Sequence, residues 1–180
     1  MFTTTKWVRD GLGLTINDGE AVVVMLPTPG KRHDGNKRLD KIISKISSVI
    51  GAIIVPKTPE QKRRAKERTE KFHSLVKSAL GDRELEMLSV NALATTPECQ
   101  RRGYGGALVD YITQKADEQG RSTYLLSSNP INEPFYVKHG FVEVAAVVLG
   151  DDDPSWTQKP IRIPLMVREY ADHNTNEKFH

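Results

Sequence analysis

The sequence predicts a single α/β domain in which strands and helices follow one another along the chain. Three observations indicate this fold class: a hairpin signal near the N-terminus, a glycine-rich turn between an apolar run and an amphipathic segment, and apolar runs near the C-terminus. With 180 residues, 38% of them hydrophobic and 27% charged, the chain suits one hydrophobic core. We place this domain at residues 1–172 and a flexible C-terminal tail at residues 173–180.

Composition and charge exclude several classes of function. The formal net charge of +3 is mild, so it is compatible with an anionic ligand and does not indicate nucleic acid as a partner. No run of about 18 apolar residues occurs and the N-terminus lacks the apolar core of a signal peptide, so we expect a cytoplasmic or nuclear protein without a membrane partner. A single Cys99 excludes an internal disulfide, and the five histidines lack metal-type pairing, so we expect no metal.

The N-terminal part of the chain carries the signal for a β-hairpin. Residues 12–16 and 21–26 are apolar runs on either side of the Asp18-Gly19 step. An Asp-Gly step between two apolar runs is a strong short-range hairpin signal, so we predict two antiparallel strands.

Two helices are predicted between the hairpin and the middle of the chain. Apolar residues at helical spacing predict a helix over residues 39–54, and a second helix extends over residues 60–80 and is closed by Gly81. The second helix has opposite charges four positions apart, as in Glu67 and Lys71. This pattern is typical of a solvated face, and the alternative is that its basic groups lie near a phosphate.

The C-terminal half alternates strands with helices. We predict a central strand over residues 84–94 and a helix over residues 104–118 that ends at Gly120. The remaining elements are a strand over 122–127, a short helix with Pro134 near its start, and strands over 141–149 and 161–168. The helix over residues 104–118 has a predicted buried stripe of Ala107, Leu108, Tyr111, Ile112 and Ala116.

A glycine-rich turn, Gln-Arg-Arg-Gly-Tyr-Gly-Gly, occupies residues 100–106 between the central strand and the following helix. Such a turn leaves backbone N–H groups unpaired at the helix start, where the helix dipole also favours negative charge. The third glycine of a dinucleotide fingerprint is replaced by Leu108, and no Gly-Lys-Ser/Thr ends the turn as in a Walker loop. The turn therefore predicts a phosphate ligand of another kind.

Gln100, Gly103 and Gly105 stand on the defining positions of the Gln/Arg-x-x-Gly-x-Gly/Ala signature, and the turn resembles that of the GNAT superfamily. A second segment, residues 134–141, resembles the Tyr-x-Lys-x-Gly-Phe hallmark of the same family, with Tyr136 as its tyrosine. The resemblance covers about residues 84–167 and is nearest to puromycin-type and fungal small-molecule acetyltransferases. It implies acetyl-CoA as co-substrate and a mixed, mostly antiparallel central sheet with helices on both faces.

The chain departs from the family before the hairpin. The family pattern has a strand and two helices there, which form one wall of the acceptor pocket, whereas about ten residues precede the hairpin here. Either the helices between residues 39 and 80 supply the wall, or a second subunit does, or the pocket is open. We hypothesise a homodimer in which an apolar helix face helps to close each pocket, the face being Ile42, Ile43, Ile46, Val49 and Ile50.

The resemblance also implies how the cofactor is bound. Backbone groups of the strand before the turn contact the pantetheine and acetyl units, and backbone amides of the turn hold the pyrophosphate. Asn129 matches an asparagine that contacts the CoA arm, or is a turn residue before Pro130. Arg101 and Arg102 either add charge at the phosphates or are merely exposed. The complete predicted set is Leu93, Ala94, Thr95, Gln100, Arg101, Arg102, Gly103, Tyr104, Gly105, Gly106 and Asn129.

Acetyl transfer from a thioester needs a neutral amine and a proton for the leaving thiolate. The resemblance implies that Tyr136 is the general acid, and the alternative is a core aromatic packed beside Phe135 and Phe141. Our choice of base is Glu86. Strand alternation places Glu86 on the face opposite Ser89 unless a bulge intervenes, and the competitor is water held by Ser89 or Asn91.

These expectations combine into one predicted activity. We expect an N-acetyltransferase in which a primary amine of a small molecule attacks acetyl-CoA directly in a ternary complex. The alternatives are an acetyltransferase for protein or peptide amines, and a CoA-binding regulatory module without turnover.

Overall fold

The computed structural model describes residues 13–26, 58–153 and 156–170, which contain six strands and three α-helices. In chain order these are β1 (Gly13–Ile16), β2 (Ala21–Leu26), α1 (Pro59–Leu80), β3 (Leu88–Thr95), α2 (Tyr104–Asp117), β4 (Thr123–Leu126), α3 (Glu133–Lys138), β5 (Val142–Leu149) and β6 (Ile161–Arg168). The predicted helix over residues 39–54 and the tail at 173–180 lie outside the described residues.

The strands form one sheet in the order β1-β2-β3-β4-β6-β5. Within the described residues, β3 and β4 are the parallel pair, and α2 makes the crossover between them that a parallel pair requires. The other neighbouring strands are antiparallel. The mixed, mostly antiparallel sheet that the resemblance implied is confirmed.

Helices cover both faces of this sheet, as expected. Helix α2 packs on one face through Leu108, Val109 and Ile112, where Tyr136 of α3 and the fully buried Phe141 join the same core. Helix α1 packs on the other face through Val76 and Leu80, which contact a second core cluster of Met87, Leu165 and Val167. We refer to these as the α2 face and the α1 face.

The buried stripe of α2 differs from the predicted one. Ala107 is exposed and the Tyr111 side chain is 45% exposed, so neither belongs to the stripe. Val109 and Thr113 are buried in their place, next to Leu108, Ile112 and Ala116. The buried face is therefore rotated about the helix axis relative to the predicted one. It includes Thr113, whose hydroxyl donates to the Asp110 carbonyl at 3.0 Å.

The prediction that a strand begins at Glu84 was wrong. Residues 81–85 form a 3-10 helix, Glu86 follows with helical backbone angles, and β3 begins only at Leu88. Arg121 holds this bend, because its Nε donates to the Glu86 carbonyl at 2.8 Å and its Nη2 to the Met87 carbonyl at 2.9 Å. These bonds satisfy carbonyls that a strand would have paired within the sheet.

Strand β3 carries a bulge and then leaves its parallel partner. Val90 pairs with Met25 and Ala92 pairs with Val24, so Asn91 is the additional residue of the bulge. The ladder between β3 and β4 ends with Val90 opposite Leu125, although β3 continues to Thr95. The edge of β3 that faced β4 is thus open along its last residues, directly before the glycine-rich turn.

Candidate functional site

The glycine-rich turn ends in a helix start without a side-chain cap. Gly103 occupies the N-cap of α2 in the left-handed region, with φ of +84°, and a Cβ added there would meet nothing within 4 Å. The first backbone bond into the helix runs from the Ala107 amide to the Gly103 carbonyl at 2.9 Å. Helix geometry therefore leaves the amides of Tyr104, Gly105 and Gly106 without intrahelical acceptors, at the positive end of the helix dipole. This arrangement suits an anion.

The two arginines of the turn are both exposed but face different surroundings. Arg101 has a φ of +63°, which an L-residue adopts at a cost of about 1–3 kcal/mol, so the turn is tightly constrained there. Arg102 lies near the carboxylate of Glu20. The pKa of Glu20 is lowered, first by a hydrogen bond from Asn17 and to a smaller extent by the positive charge of Arg102. The positive charge of Arg102 therefore acts on Glu20 of the hairpin as well as on the turn.

The β1–β2 hairpin supports the turn through direct hydrogen bonds. Asn17 Nδ2 donates to the Tyr104 hydroxyl at 3.2 Å, and the Thr96 amide donates to the Glu20 carbonyl at 2.8 Å. The Tyr104 ring packs against the α2-face core. The Tyr104 side chain is thus engaged with the hairpin and the core, and the binding of a ligand by its amide stays a prediction.

The second hallmark segment contacts the glycines of the first. A Cβ added to Gly105 would lie 3.7 Å from the Phe135 ring and 3.8 Å from Thr95 Oγ1. A Cβ added to Gly106 would lie 3.3 Å from Cε1 of His139, closer than most real contacts. Glycine at these positions lets α3 approach the start of α2 directly. The structure therefore brings the two sequence motifs together in one place.

A histidine and a carboxylate that the sequence analysis did not single out join α3 to α2. The Nδ1 of His139 lies 2.6 Å from Oδ1 of Asp110, and the His139 side chain is only 12% exposed. The His139 ring also contacts Phe135, with centroids 4.8 Å apart. Spacing gave no signal for this pair, because the two residues are 29 positions apart in the chain.

Tyr136 lies in the α2-face core with 9% of its surface exposed. Its ring contacts Phe135 and Phe141 edge-on, at centroid distances of 5.1 and 6.0 Å. Burial raises the pKa of its hydroxyl, and no other described group contributes to that shift. The aromatic packing of the alternative interpretation is therefore present, together with a hydroxyl that keeps its proton at neutral pH.

The predicted base, Glu86, does not lie near the turn. Its position before β3 places it at the opposite end of that strand from residues 100–106, and its side chain is exposed. The choice of Glu86 as the base assumed that Glu86 belongs to the central strand, whereas β3 begins only at Leu88. Ser89 does lie on β3, where it is half-buried and directly opposite Tyr124 in the parallel ladder. The Tyr124 hydroxyl donates to Glu84 Oε1 at 3.3 Å.

The remaining predicted cofactor residues lie on the open part of β3 and after β4. Leu93 packs partly into the α2-face core, and the Thr95 carbonyl accepts a bond from Gln100 Nε2 at 3.4 Å. Ala94 is exposed on the same strand. Asn129 is the N-cap of a 3-10 helix at Pro130–Asn132, where its Oδ1 accepts from the Ile131 amide at 3.1 Å. Asn129 thus acts as a turn residue, and its contact with the CoA arm stays a prediction.

Two classes of site find no support in the part of the chain that the structure describes. Within residues 13–26, 58–153 and 156–170, His, Cys, Asp and Glu side chains form no group of three able to hold a metal ion. The described helices include none long and apolar enough to cross a membrane.

One known family matches a stretch of the chain that contains both the turn and the hallmark segment. The family described as "Acetyltransferase (GNAT) domain" matches residues 68–143, which include the turn, α2 and α3. Residues 68–143 therefore match the GNAT acetyltransferase domain family. The chain is similar in structure to the polyamine N-acetyltransferase of Drosophila melanogaster, with 16% identity, a TM-score of 0.57, and coverage of 91% of this chain and 77% of that one.

Two further solved structures are similar to all or part of the chain. Arylalkylamine N-acetyltransferase 2 from Aedes aegypti is 13% identical with a TM-score of 0.56, over 94% of this chain and 78% of that chain. Naa20 from Chaetomium thermophilum, in complex with a bisubstrate analogue, is 19% identical with a TM-score of 0.41, and the match covers 52% of each chain. The chain thus spans about half of the latter protein. No curated protein matches the sequence.

Proposed function

We propose that the chain is an acetyl-CoA-dependent N-acetyltransferase whose acceptor is a primary amine of a small molecule. The observation that carries this proposal is the uncapped start of α2, which lies beside the open edge of the last residues of β3, with Tyr136 packed in the adjoining core. A site of this kind offers backbone donors for phosphates and a strand edge for an extended ligand at the same place. A GNAT domain with these features suits acetyl-CoA.

In the proposed complex each part of the site has a separate binding role. Amides of Tyr104, Gly105 and Gly106 hold the pyrophosphate, and Arg101 adds positive charge at the exposed side of the turn. The open backbone of residues 93–95 pairs with the pantetheine arm. The cofactor supplies an acetyl thioester, whose carbonyl the acceptor amine attacks. The residues present therefore fit the group that the family uses.

The proposed acid is Tyr136, because burial raises the pKa of its hydroxyl, which therefore keeps its proton at neutral pH. An ordinary phenol has a pKa of about 10, and a thiol of about 8.5, so a departing thiolate is a weaker base than a phenolate. The phenol therefore does not give up its proton completely. The thiolate takes its proton from water when CoA leaves the site. The role of the phenol is to share its proton with the developing negative charge in the transition state.

Two neighbours support a small molecule as the acceptor. The Drosophila and Aedes proteins are named for polyamine and arylalkylamine substrates, and both align over more than nine-tenths of this chain. Their low identity leaves the acceptor itself open to experiment. The proposal therefore specifies a primary amine and no particular compound.

A transfer assay with two acceptor panels tests the proposal. Purified protein is incubated with acetyl-CoA and either small amines, including a polyamine and an arylalkylamine, or peptides with free amino groups, and released CoA thiol is measured. Faster turnover with a small amine is the expected result. Turnover with peptides alone would assign a protein acceptor, and acetyl-CoA binding without any turnover would indicate a regulatory module.

A further inference from the structure

A cluster of polar side chains, Ser89, Tyr124 and Glu84, lies on the α1 face, on the other side of the sheet from Tyr136. Tyr124 packs there against the cluster of Val76, Leu165 and Val167, whereas Tyr136 belongs to the α2-face core. Ser89 stands opposite Tyr124 in the parallel ladder, and the Tyr124 hydroxyl donates to Glu84 Oε1 at 3.3 Å. These three residues come from two strands and the 3-10 helix before β3.

This polar cluster lies next to the open edge of β3, and this position indicates its function. Ser89 is the residue before Val90, where the ladder between β3 and β4 ends. A thioester that enters between the two strands beyond Val90 is therefore accessible from both faces of the sheet. The proposed acid, Tyr136, lies on the α2 face, so the α1 face remains for the incoming amine.

An incoming amine needs a proton acceptor. An alkylamine with a pKa of about 10.4 is mostly an ammonium at pH 7, and its neutral form costs about 1.4 kcal/mol for each pH unit below that pKa. Among the three side chains of this cluster, Glu84 carries the carboxylate, and it is partly exposed, so it can pass a proton on to water. Tyr124 stays protonated, because burial raises its pKa and the negative charge of Glu84 adds to this, while a hydrogen bond with Ser89 opposes it.

We propose that Ser89, Tyr124 and Glu84 form a proton relay that deprotonates the acceptor ammonium, an inference that rests on the proposed acetyltransferase function. The N–H bond of the ammonium breaks as its proton passes to Ser89 Oγ. The Ser89 proton passes to the Tyr124 oxygen, and the Tyr124 proton passes to Glu84 Oε1. The net change is the transfer of one proton from the ammonium to the Glu84 carboxylate, which leaves a neutral amine ready to attack.

This relay explains how a base can act without lying on β3. Because residues 81–86 are helical, strand alternation does not fix the side of the sheet on which Glu84 lies. Its side chain reaches the α1 face and meets Tyr124 there. Glu84 thus acts through two intervening hydroxyls, and Ser89 is the member of the relay that faces the acceptor.

The test compares a strongly basic acceptor with a weakly basic one. An alkylamine must lose a proton before it attacks, whereas a hydrazide or an aromatic amine is already neutral at pH 7 and needs no relay. Glu84→Gln and Tyr124→Phe should each lower kcat/KM for the alkylamine by about 10²-fold, the lower end of general-base effects, with little change for the weak base. The affinity for acetyl-CoA should stay at the wild-type value in both variants.

The matched control is Asp82→Asn, which removes an exposed carboxylate from the same 3-10 helix. Asp82→Asn should acetylate both acceptors at wild-type rates. Thermal unfolding of all variants distinguishes loss of the relay from loss of the folded structure. Equal loss with both acceptors, or no loss with either, would overturn the relay while an active wild type upholds the proposed function. No transfer by the wild type would overturn both.

Discussion

At the scale of single residues, Tyr136 combines a buried ring with a hydroxyl that no described group hydrogen-bonds. An aromatic residue of this kind can pack through its ring and still offer its polar tip to a ligand. Packing and catalysis are therefore compatible at this position, because the ring fixes the direction of the hydroxyl.

The variant Tyr136→Phe separates these contributions, because it keeps the ring and removes only the proton donor. We expect turnover to fall by about 10²-fold, in the usual range for loss of a general acid, with little change in acetyl-CoA affinity. Steady-state kinetics together with calorimetry measure the two effects. Turnover at the wild-type rate would assign Tyr136 to packing alone.

Gly103 offers a second residue-scale prediction, with a control at the other end of the same helix. Gly103 and Gly120 both have positive φ, of +84° and +63°, and a Cβ at either would meet nothing within 4 Å. Glutamate at either position therefore has a similar backbone cost, of about 1–3 kcal/mol. Only Gly103→Glu adds negative charge where the pyrophosphate is proposed to bind, so we expect it to abolish acetyl-CoA binding.

Calorimetry with acetyl-CoA checks this pair of variants. Gly120→Glu should bind with wild-type affinity, because Gly120 follows the C-terminal end of α2. If both variants bind as the wild type does, the pyrophosphate does not lie at the start of α2. If both lose binding, the backbone cost rather than the charge is responsible.

At the scale of elements, an ion pair joins β6 to the end of α2. Arg168 donates from Nη1 and Nη2 to the two oxygens of Asp117 at 2.8 and 2.7 Å, and the two side chains are 18% and 11% exposed. Its aliphatic part also packs over Gly140. Because both partners are largely withdrawn from water, removal of one takes this charge compensation away from the other.

An exposed pair of the same chemistry provides the comparison. Arg83 and Glu169 are 57% and 61% exposed, with Nη2 of Arg83 at 2.7 Å from both carboxylate oxygens. We expect Arg168→Ala to lower the free energy of unfolding by about 3 kcal/mol. Arg83→Ala should lower it by less than about 1 kcal/mol. Urea denaturation measures both, and equal losses would mean that burial does not determine the strength of these pairs.

The elements that sequence reasoning predicted well are those with both a period and an end signal. Helix α1 has a capping box at Thr58 and Gln61 and a closing Gly81 with positive φ, and its charge pairs, such as Glu67 with Lys71 at 3.1 Å, are present. Arg63 of the same helix contacts Asp153 of the β5–β6 connection at 3.0 Å. That contact crosses 90 positions of sequence, and no local pattern encodes it.

The start of β3 and the relay were not predictable for the same physical reason. Residues 84–87 have an alternation that suits a strand, and the 3-10 helix forms because Arg121, far along the chain, binds the carbonyls of Glu86 and Met87. Tertiary hydrogen bonds thus override a local preference. The glycine-rich turn was predictable because its glycines are required by local backbone geometry and by the close approach of α3.

At the scale of the whole molecule, the proposed cofactor should stabilise the fold. A ligand that binds only the folded state adds about 2.7 kcal/mol when its free concentration is 100 times Kd. Thermal unfolding should therefore shift upward with acetyl-CoA and follow this logarithmic dependence on concentration. Gly103→Glu should show no shift, and a shift of wild-type size in that variant would place the ligand elsewhere.

The last prediction concerns how copies of the chain associate. The segment 39–54, which lies outside the described residues, has apolar residues at helical spacing that include Ile42, Ile46 and Ile50. A large apolar face left in water is costly, and burial between two copies across a two-fold axis removes it. We therefore expect light scattering at micromolar concentration to give a mass near twice that of the monomer.

Two neighbouring substitutions test whether this apolar face holds the dimer. Ile46→Asp places a charge on the face and should lower both the mass and the transfer activity, because each pocket then loses the wall that the other copy supplies. Lys45→Asp changes charge at the adjacent position off the apolar pattern and should leave the mass unchanged. A monomeric wild type with full activity would contradict the dimer and indicate that each chain closes its own pocket.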